Sequence, residues 1–130
     1  MKSFLPHLIA VATLVCVAPA LAENPVTNVK PDEAAKLLKE KEGIQAVDVR
    51  TPEEFGDGHI PGAKNTNVLG DDFKAAVAQL DAAKPVLVYC RSGGRSSRAL
   101  MTFRELGFTQ IFHLNEGLMS WEDAGLELEE

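Results

Sequence analysis

Two hydrophobic periods alternate along the chain from residue 25 onward. Short apolar runs rich in β-branched residues indicate strands, and between them apolar residues recur at the spacing of a helix face. The runs predict five strands, at 25–29, 45–50, 63–68, 86–90 and 110–114. Helices are predicted from Pro31, over 71–80, from Ser96 and around Trp121, with a helical turn over 51–55. This alternation predicts an α/β domain with a five-stranded, mainly parallel sheet and helices on both faces.

Local signals mark several helix ends. Three predicted helices are followed by glycine and then an apolar residue, at Gly43, Gly107 and Gly125, which is typical of a left-handed cap. Thr51 and Glu54 have the spacing of a capping box. These ends are therefore predicted without reference to the tertiary structure.

The first 22 residues have a different character. Lys2 precedes an apolar or small run over 8–17, and Ala-Leu-Ala at 20–22 has the form of a cleavage site. The run is too short for a membrane span. We predict a signal peptide over 1–22, export to the periplasm without stable membrane insertion after cleavage, and one mature domain over 23–130. Lipid attachment at Cys16 is the alternative, but the preceding residue is valine, where the lipoprotein motif has Gly or Ala.

Composition narrows the functional classes. Lys2 is the only charge in the predicted leader, so its removal from the 130 residues leaves 108, with 12 basic and 19 acidic side chains and a net charge of −7. This balance argues against nucleic acid and anionic membranes as partners. The mature part has one cysteine, Cys90, so no internal disulfide is possible. We predict no metal site, because His59 and His113 lie in unrelated stretches without ligand spacing.

The most informative stretch is 86–106, where a buried strand ends at Cys90 and a helix begins within a few residues. Gly93 and Gly94 allow the connecting loop to turn tightly and to direct successive backbone amides at one point. The amides of residues 91–95, the helix dipole and the guanidinium groups of Arg91, Arg95 and Arg98 all favour a thiolate. The pattern predicts a nucleophilic Cys90, and the alternative is a small buried apolar residue that ends a strand.

A second group of polar residues follows the neighbouring predicted strand. Asp48 and Arg50 lie at its carboxyl end, the edge where open α/β sheets place their sites. We interpret Asp48 as a buried structural acceptor. Arg50 either faces the pocket or pairs with Glu53 or Glu54.

Three segments resemble one family. DVRTPEEFGDGHIPGAKN at 48–65, CRSGGRS at 90–96 and LNEGLMSWEDAGLELE at 114–129 are similar, in this order, to motifs of the rhodanese-type sulfurtransferases. The resemblance implies a five-stranded domain in which Cys90 carries a sulfane sulfur as a persulfide, and it makes His59 a structural residue that fastens a loop rather than an acid or base. The family usually has paired glycines where this chain has Glu116 and Gly117.

The resemblance and the loop together predict a thiosulfate sulfurtransferase without a cofactor. Cys90 takes sulfur from thiosulfate or a similar small anion and passes it to cyanide or a thiol. The site residues that stabilise the persulfide or bind the donor are predicted to be Arg91, Ser92, Gly93, Gly94, Arg95 and Arg50.

Two alternatives remain open at this point. A persulfide carrier or sulfur-sensing module would use the same cysteine with slow turnover. Cysteine phosphatases and arsenate reductases have five residues between cysteine and arginine, whereas four separate Cys90 from Arg95.

Overall fold

The computed structural model describes residue 3, residues 9–14 and residues 25–130. Cys16 and the predicted cleavage site at 20–22 lie outside the described residues, so the signal peptide and export stay predictions. Among the described residues no helix has the length and apolar character needed to cross a membrane.

Five parallel strands form one sheet, as predicted. They are β1 (Val26–Asn28), β2 (Gln45–Asp48), β3 (Lys64–Asn65), β4 (Val86–Tyr89) and β5 (Ile111–His113), in the order β1-β5-β4-β2-β3. The helices are α1 (Pro31–Glu40), α2 (Pro52–Asp57), α3 (Phe73–Val77), α4 (Gly94–Glu105) and α5 (Gly117–Asp123). Strand β4 is central, so its carboxyl end opens onto the middle of one sheet edge.

Alternation along β4 divides the core between the two faces of the sheet. Val86, Val88 and Cys90 pack with residues of α3 and α4, whereas Leu87 and Tyr89 pack with residues of α1 and α5. The strand is buried on both faces, which is why it consists of a short continuous apolar run.

The predicted glycine caps and the predicted start at Thr51 are confirmed. Gly43, Gly107 and Gly125 have φ values of 75°, 85° and 75°, which L side chains rarely adopt. Thr51 precedes α2, and its hydroxyl accepts a hydrogen bond from the Glu54 amide at 3.3 Å.

Two predicted elements are much shorter than expected, and the other four strands are each one or two residues shorter than predicted. Strand β3 covers 64–65 rather than 63–68. The Thr66 amide still bonds the Asp48 carbonyl, but the Val68 amide bonds the Val49 carbonyl and the Asn65 side-chain amide takes the Arg50 carbonyl, so the regular ladder does not continue. Helix α3 covers 73–77 rather than 71–80, and at its end the Gln79 and Leu80 amides bond carbonyls three residues back and tighten the last turn. Helix α4 begins two residues before the predicted Ser96.

Candidate active site

Cys90 directly follows β4 and is buried, with 1% of its surface exposed. Its Sγ accepts a hydrogen bond from the Gly93 amide at 3.1 Å and another from the Ser96 hydroxyl at 3.3 Å. Gly93 has a φ of 108°, and this left-handed turn brings its amide back toward the sulfur immediately before α4 begins. The sulfur therefore faces a group of donors.

These donors decide the ionisation of the thiol. Burial alone raises the pKa of Cys90, but hydrogen bonds from the Ser96 hydroxyl and from the amides of Ser96, Gly93 and Ser92 outweigh it and hold the pKa below its usual value. The environment thus favours the thiolate, which is the nucleophilic form of cysteine.

Two glycines let the loop after Cys90 meet the segment before α5. A Cβ on Gly93 would overlap the carbonyl oxygen of Asn115, and a Cβ on Gly117 would overlap the backbone of Arg91. Gly117 also has a φ of 75°, whereas Glu116 has an ordinary φ of −91°. The geometry explains why the second glycine of the family pattern is retained here while the first position accommodates Glu116.

The first turn of α5 fixes the loop from the other side. The Leu118 amide donates to the Cys90 carbonyl at 2.9 Å, and the Met119 amide donates to the Arg91 carbonyl at 3.1 Å. Because these two bonds hold the peptide groups that follow Cys90 and Arg91, they also fix the direction in which the loop amides point near the Cys90 sulfur.

Arg95 lies in the first turn of α4 but is bound to a carboxylate. Its two terminal nitrogens donate to Glu54 Oε1 at 2.7 Å and to Glu54 Oε2 at 2.9 Å. The paired guanidinium lowers the pKa of Glu54 to about 2, and the carboxylate raises the pKa of Arg95. Glu54 of α2 therefore neutralises the positive charge of Arg95, which the sequence assigns to binding the anionic sulfur donor.

Arg50 has a different partner from either one expected. It binds Asp48, not Glu53 or Glu54, with its Nε 3.0 Å from both carboxylate oxygens and an Nη2 bond of 2.7 Å to Oδ2. The Arg50 amide also donates to Asp48 Oδ1 at 2.9 Å, and Nη2 reaches the Gly58 carbonyl at 2.7 Å. Asp48 is thus a buried structural acceptor, as interpreted from the sequence.

Two of the predicted site residues, Arg50 and Arg91, line one small polar pocket. It has a volume of about 200 Å³, and its lining also includes Glu54, Asp57 and Glu122, but neither Cys90 nor the rest of its loop. Arg91 and Ser92 are exposed, as is Gly94, whereas Gly93 is buried beneath the loop. Arg91 is the exposed cation of the loop, so an anion in this pocket, next to the residue that follows Cys90, meets its positive charge.

Sequence reasoning missed two residues of the site, Ser96 as a donor and His113 beside it. The Ser96 Oγ lies 2.7 Å from His113 Nε2, and both residues are buried. Ser96 shares the buried face of α4 with Ala99 and Phe103, and this spacing was a usable signal. Placing His113 beside Ser96 requires the register of β5 against β4 as well.

His59 is structural, as the resemblance implied. Its Nδ1 lies 2.8 Å from the Phe55 carbonyl oxygen, its Nε2 lies 3.2 Å from Glu129 Oε1, and its ring stacks on Phe55. Trp121 is a buried core residue whose indole N–H donates to the Glu127 carbonyl at 2.8 Å. Within the described ranges no cluster of three or more His, Cys, Asp or Glu side chains is arranged to hold a metal.

Comparison with known proteins gives a consistent result. A family model described as "Rhodanese-like domain" matches residues 30–124. The protein named thiosulfate sulfurtransferase GlpE from Pseudomonas aeruginosa (strain LESB58) is 39% identical over 93 residues, covering 71% of this chain and 81% of that protein. The uncharacterized protein YqhL of Bacillus subtilis is 40% identical over 77 residues, covering 59% of this chain and 60% of that protein.

Solved structures share the fold. The crystal structure of a rhodanese-related protein from Thermoplasma volcanium superposes with a TM-score of 0.69 at 22% identity, covering 79% of this chain and 97% of that chain. At this identity the superposition is evidence for the fold alone.

Proposed function

The chain belongs to the rhodanese-like family, and we propose that it is a thiosulfate sulfurtransferase that carries the transferred sulfur as a Cys90 persulfide. The observation that carries the proposal is the set of donors at Cys90 Sγ, the Gly93 amide and the Ser96 hydroxyl. The name of GlpE supports thiosulfate as the donor.

The first half-reaction loads the sulfur. Cys90 thiolate attacks the outer sulfur of thiosulfate, a new S–S bond forms, and the S–S bond of thiosulfate breaks with its electron pair leaving on sulfite. The loop amides stabilise the negative charge of the persulfide, as preorganised donors do where charge develops. Arg91 is exposed at the adjacent pocket and orients the anionic donor there.

The second half-reaction empties the site. Cyanide or a thiolate acceptor attacks the outer persulfide sulfur, the Cys90 S–S bond breaks, and the electron pair returns to Cys90 as thiolate. The products are thiocyanate or the acceptor's persulfide. Neither half-reaction needs a cofactor, because the sulfur and its electrons come from the two substrates.

The arginine geometry argues against phosphate transfer. A cysteine phosphatase uses its loop arginine to hold a phosphate, but here both terminal nitrogens of Arg95 are bound to Glu54. The loop also has one residue fewer between cysteine and arginine than that class. Sulfur, which the amides and the Ser96 hydroxyl can stabilise without a free guanidinium, suits the site better.

The test is the mass of the intact protein after thiosulfate treatment. We expect one added sulfur on the wild type, removed by cyanide, and none on Cys90→Ser. An unmodified wild type would overturn the proposal, as would p-nitrophenyl phosphate turnover that Cys90→Ser abolishes. A stable persulfide with very slow thiocyanate production would instead favour a persulfide carrier or sulfur-sensing module.

We also propose that the protein acts in the periplasm. Support comes from the charge, apolar run and small-x-small pattern of residues 1–22. Sequencing the amino terminus of protein recovered from the periplasmic fraction should begin at Glu23. Recovery in the cytoplasm with Met1 intact would contradict this.

A further inference from the structure

The mechanism above gives no role to His113, although this residue is buried beside the active-site loop with 3% of its surface exposed. Strand β5 pairs in parallel with β4, and His113 lies opposite Val88. Residues opposite each other in register point to the same face of a sheet, so His113 shares the face of Val88 and Cys90. Helix α4 covers that face and places Ser96 between His113 and Cys90.

The hydroxyl of Ser96 has one proton and three neighbours that compete for it. Its Oγ lies 3.3 Å from Cys90 Sγ, 3.1 Å from the Gly93 carbonyl oxygen and 2.7 Å from His113 Nε2. A hydroxyl can donate to only one of them at a time. Which neighbour receives the proton decides whether Cys90 has this donor.

The Gly93 carbonyl is already supplied with donors. The Ser97 amide donates to it at 3.0 Å and the Ser97 hydroxyl at 2.7 Å. These two bonds match the two lone pairs of a carbonyl oxygen, so the Ser96 proton gains little there. The main competition is therefore between Cys90 and His113, and the Gly93 carbonyl is a weaker acceptor.

The position of the proton on the neutral His113 ring decides which of these two neighbours receives the Ser96 proton. Burial lowers the pKa of His113 from 6.5, so at neutral pH the ring is neutral and one nitrogen carries its proton. An unprotonated Nε2 would accept the Ser96 proton across 2.7 Å and deprive Cys90 of it. A protonated Nε2 donates to the Ser96 oxygen instead and leaves the hydroxyl proton for the sulfur.

We propose that His113 is a positioning residue that donates from Nε2–H to Ser96 Oγ and thereby directs the Ser96 hydroxyl at Cys90 Sγ. The arrangement lowers the thiol pKa and, on the proposed function, would stabilise the persulfide in the same way. The charged groups of the surrounding elements are largely paired with one another, Asp48 with Arg50 and Glu54 with Arg95. The relay therefore adds an uncharged donor to a loop whose exposed cation is Arg91.

The test measures the Cys90 thiol pKa in the full chain, from the pH dependence of its alkylation by iodoacetamide. His113→Met removes the Nε2–H donor, so the Ser96 hydroxyl is no longer held toward Cys90 Sγ and is shared with the Gly93 carbonyl 3.1 Å away. The thiol pKa should therefore rise, but by less than the roughly one unit expected when Ser96→Ala removes the hydroxyl donor altogether. His113→Gln keeps a donor near the position of Nε2 and should remain close to wild type. His59→Gln, the matched change at the other buried histidine, should leave the thiol pKa unchanged.

A double variant separates the relay from general damage. Ser96→Ala removes the hydroxyl and should raise the thiol pKa by about one unit, and adding His113→Met to it should change nothing further, because His113 acts only through Ser96. A further shift in the double variant would overturn the proposal. So would a thiol pKa in His113→Met that is unchanged or is lower than in the wild type, and the lower value is what an accepting Nε2 would give.

A measurement on the wild type keeps the proposal testable even if a variant fails to fold. Nitrogen NMR of the labelled protein identifies which ring nitrogen of His113 is protonated. We expect a proton on Nε2; a proton confined to Nδ1 would disprove the relay. None of these readouts requires sulfur transfer, so failure of the relay is distinct from failure of the persulfide to form.

Discussion

The ends of β2 and β4 are neighbours in the sheet, yet they use their polar groups in opposite ways. At the end of β2, the donors of Arg50 are satisfied by Asp48 and the Gly58 carbonyl. At the end of β4, the Gly93 amide and the Ser96 hydroxyl donate to Cys90 Sγ, whereas Arg95, the arginine in the first turn of α4, is bound to Glu54. The hydrogen bonds that stabilise an anion at this sulfur therefore come from an amide and a hydroxyl rather than from an arginine.

The pair of Glu54 and Arg95 is intermediate between these two ends. It is only partly buried, with side-chain exposures of 31% and 24%, whereas the Asp48 and Arg50 side chains are nearly inaccessible. Solvent can replace either partner in the exposed pair, but not in the buried one. The two pairs should therefore respond very differently to the same kind of substitution.

The largest effect should come from Asp48→Ala at the end of β2. It leaves the Arg50 guanidinium charged and buried without its carboxylate, which costs about 3 to 5 kcal/mol of unfolding free energy. Urea denaturation measures this loss, with Asp57→Ala as an exposed control that should change little. A loss below about 1 kcal/mol would show that the buried pair does not hold this strand end.

The next largest effect is expected for Gly117→Ala, which disturbs the loop that follows β4. Left-handed backbone costs about 1 to 2 kcal/mol for alanine, and overlap with the Arg91 backbone adds about 1 to 3 kcal/mol. Gly107→Ala is the matched control, since Gly107 has a φ of 85° but no atom within 4 Å of an added Cβ. Gly117→Ala should also slow alkylation of Cys90, because the loop must shift.

Equal losses of stability in the two glycine variants, with unchanged alkylation of Cys90, would mean that contact between the loop and the segment before α5 does not shape the site.

A smaller effect on stability is expected for Glu54→Gln, which frees Arg95. Exposed ion pairs contribute about 0 to 1 kcal/mol, so the fold should be nearly unaffected. The unpaired guanidinium should lower the KM for thiosulfate by roughly fivefold, equivalent to about 1 kcal/mol of added attraction. Glu53→Gln, at an exposed neighbour on α2, should leave KM unchanged. A raised KM in Glu54→Gln would show that the paired Arg95 is the better donor site.

The smallest effect is the pH dependence of this same pair. The pKa of Glu54 falls from 4.5 to about 2 on folding, so its contribution is present above pH 4.5 and is lost as pH falls toward 2. The stability difference between wild type and Glu54→Gln should be constant near neutral pH and should shrink across that window in urea titrations. A difference that grows on acidification would contradict the assigned pairing.

Local signals predicted the fold well because each acts within a few residues. The continuous apolar run of β4, the capping pair of Thr51 and Glu54, and the glycine caps need no distant partner. The loop pattern predicted a nucleophilic Cys90, and the resemblance added the persulfide. Asp48 was not predicted as the partner of Arg50. It lies two residues away, and strand alternation places both side chains on one face, so the pairing follows from the strand period.

The contact of Ser96 with His113 was beyond local reasoning. It joins residues 17 positions apart and depends on the register of β5 against β4 and on how α4 packs over both strands. Hydrophobic periodicity predicts that these elements pack together, but it does not give the register.

The central claim is that Cys90 holds one transferable sulfur. The most direct test loads the protein with thiosulfate, removes the excess, and then measures thiocyanate released by cyanide in a single turnover. We expect about one thiocyanate per folded chain, with loss of the added sulfur from the protein mass, and none from Cys90→Ser. Release of thiocyanate from Cys90→Ser, or none from a wild type shown to be folded, would contradict the account.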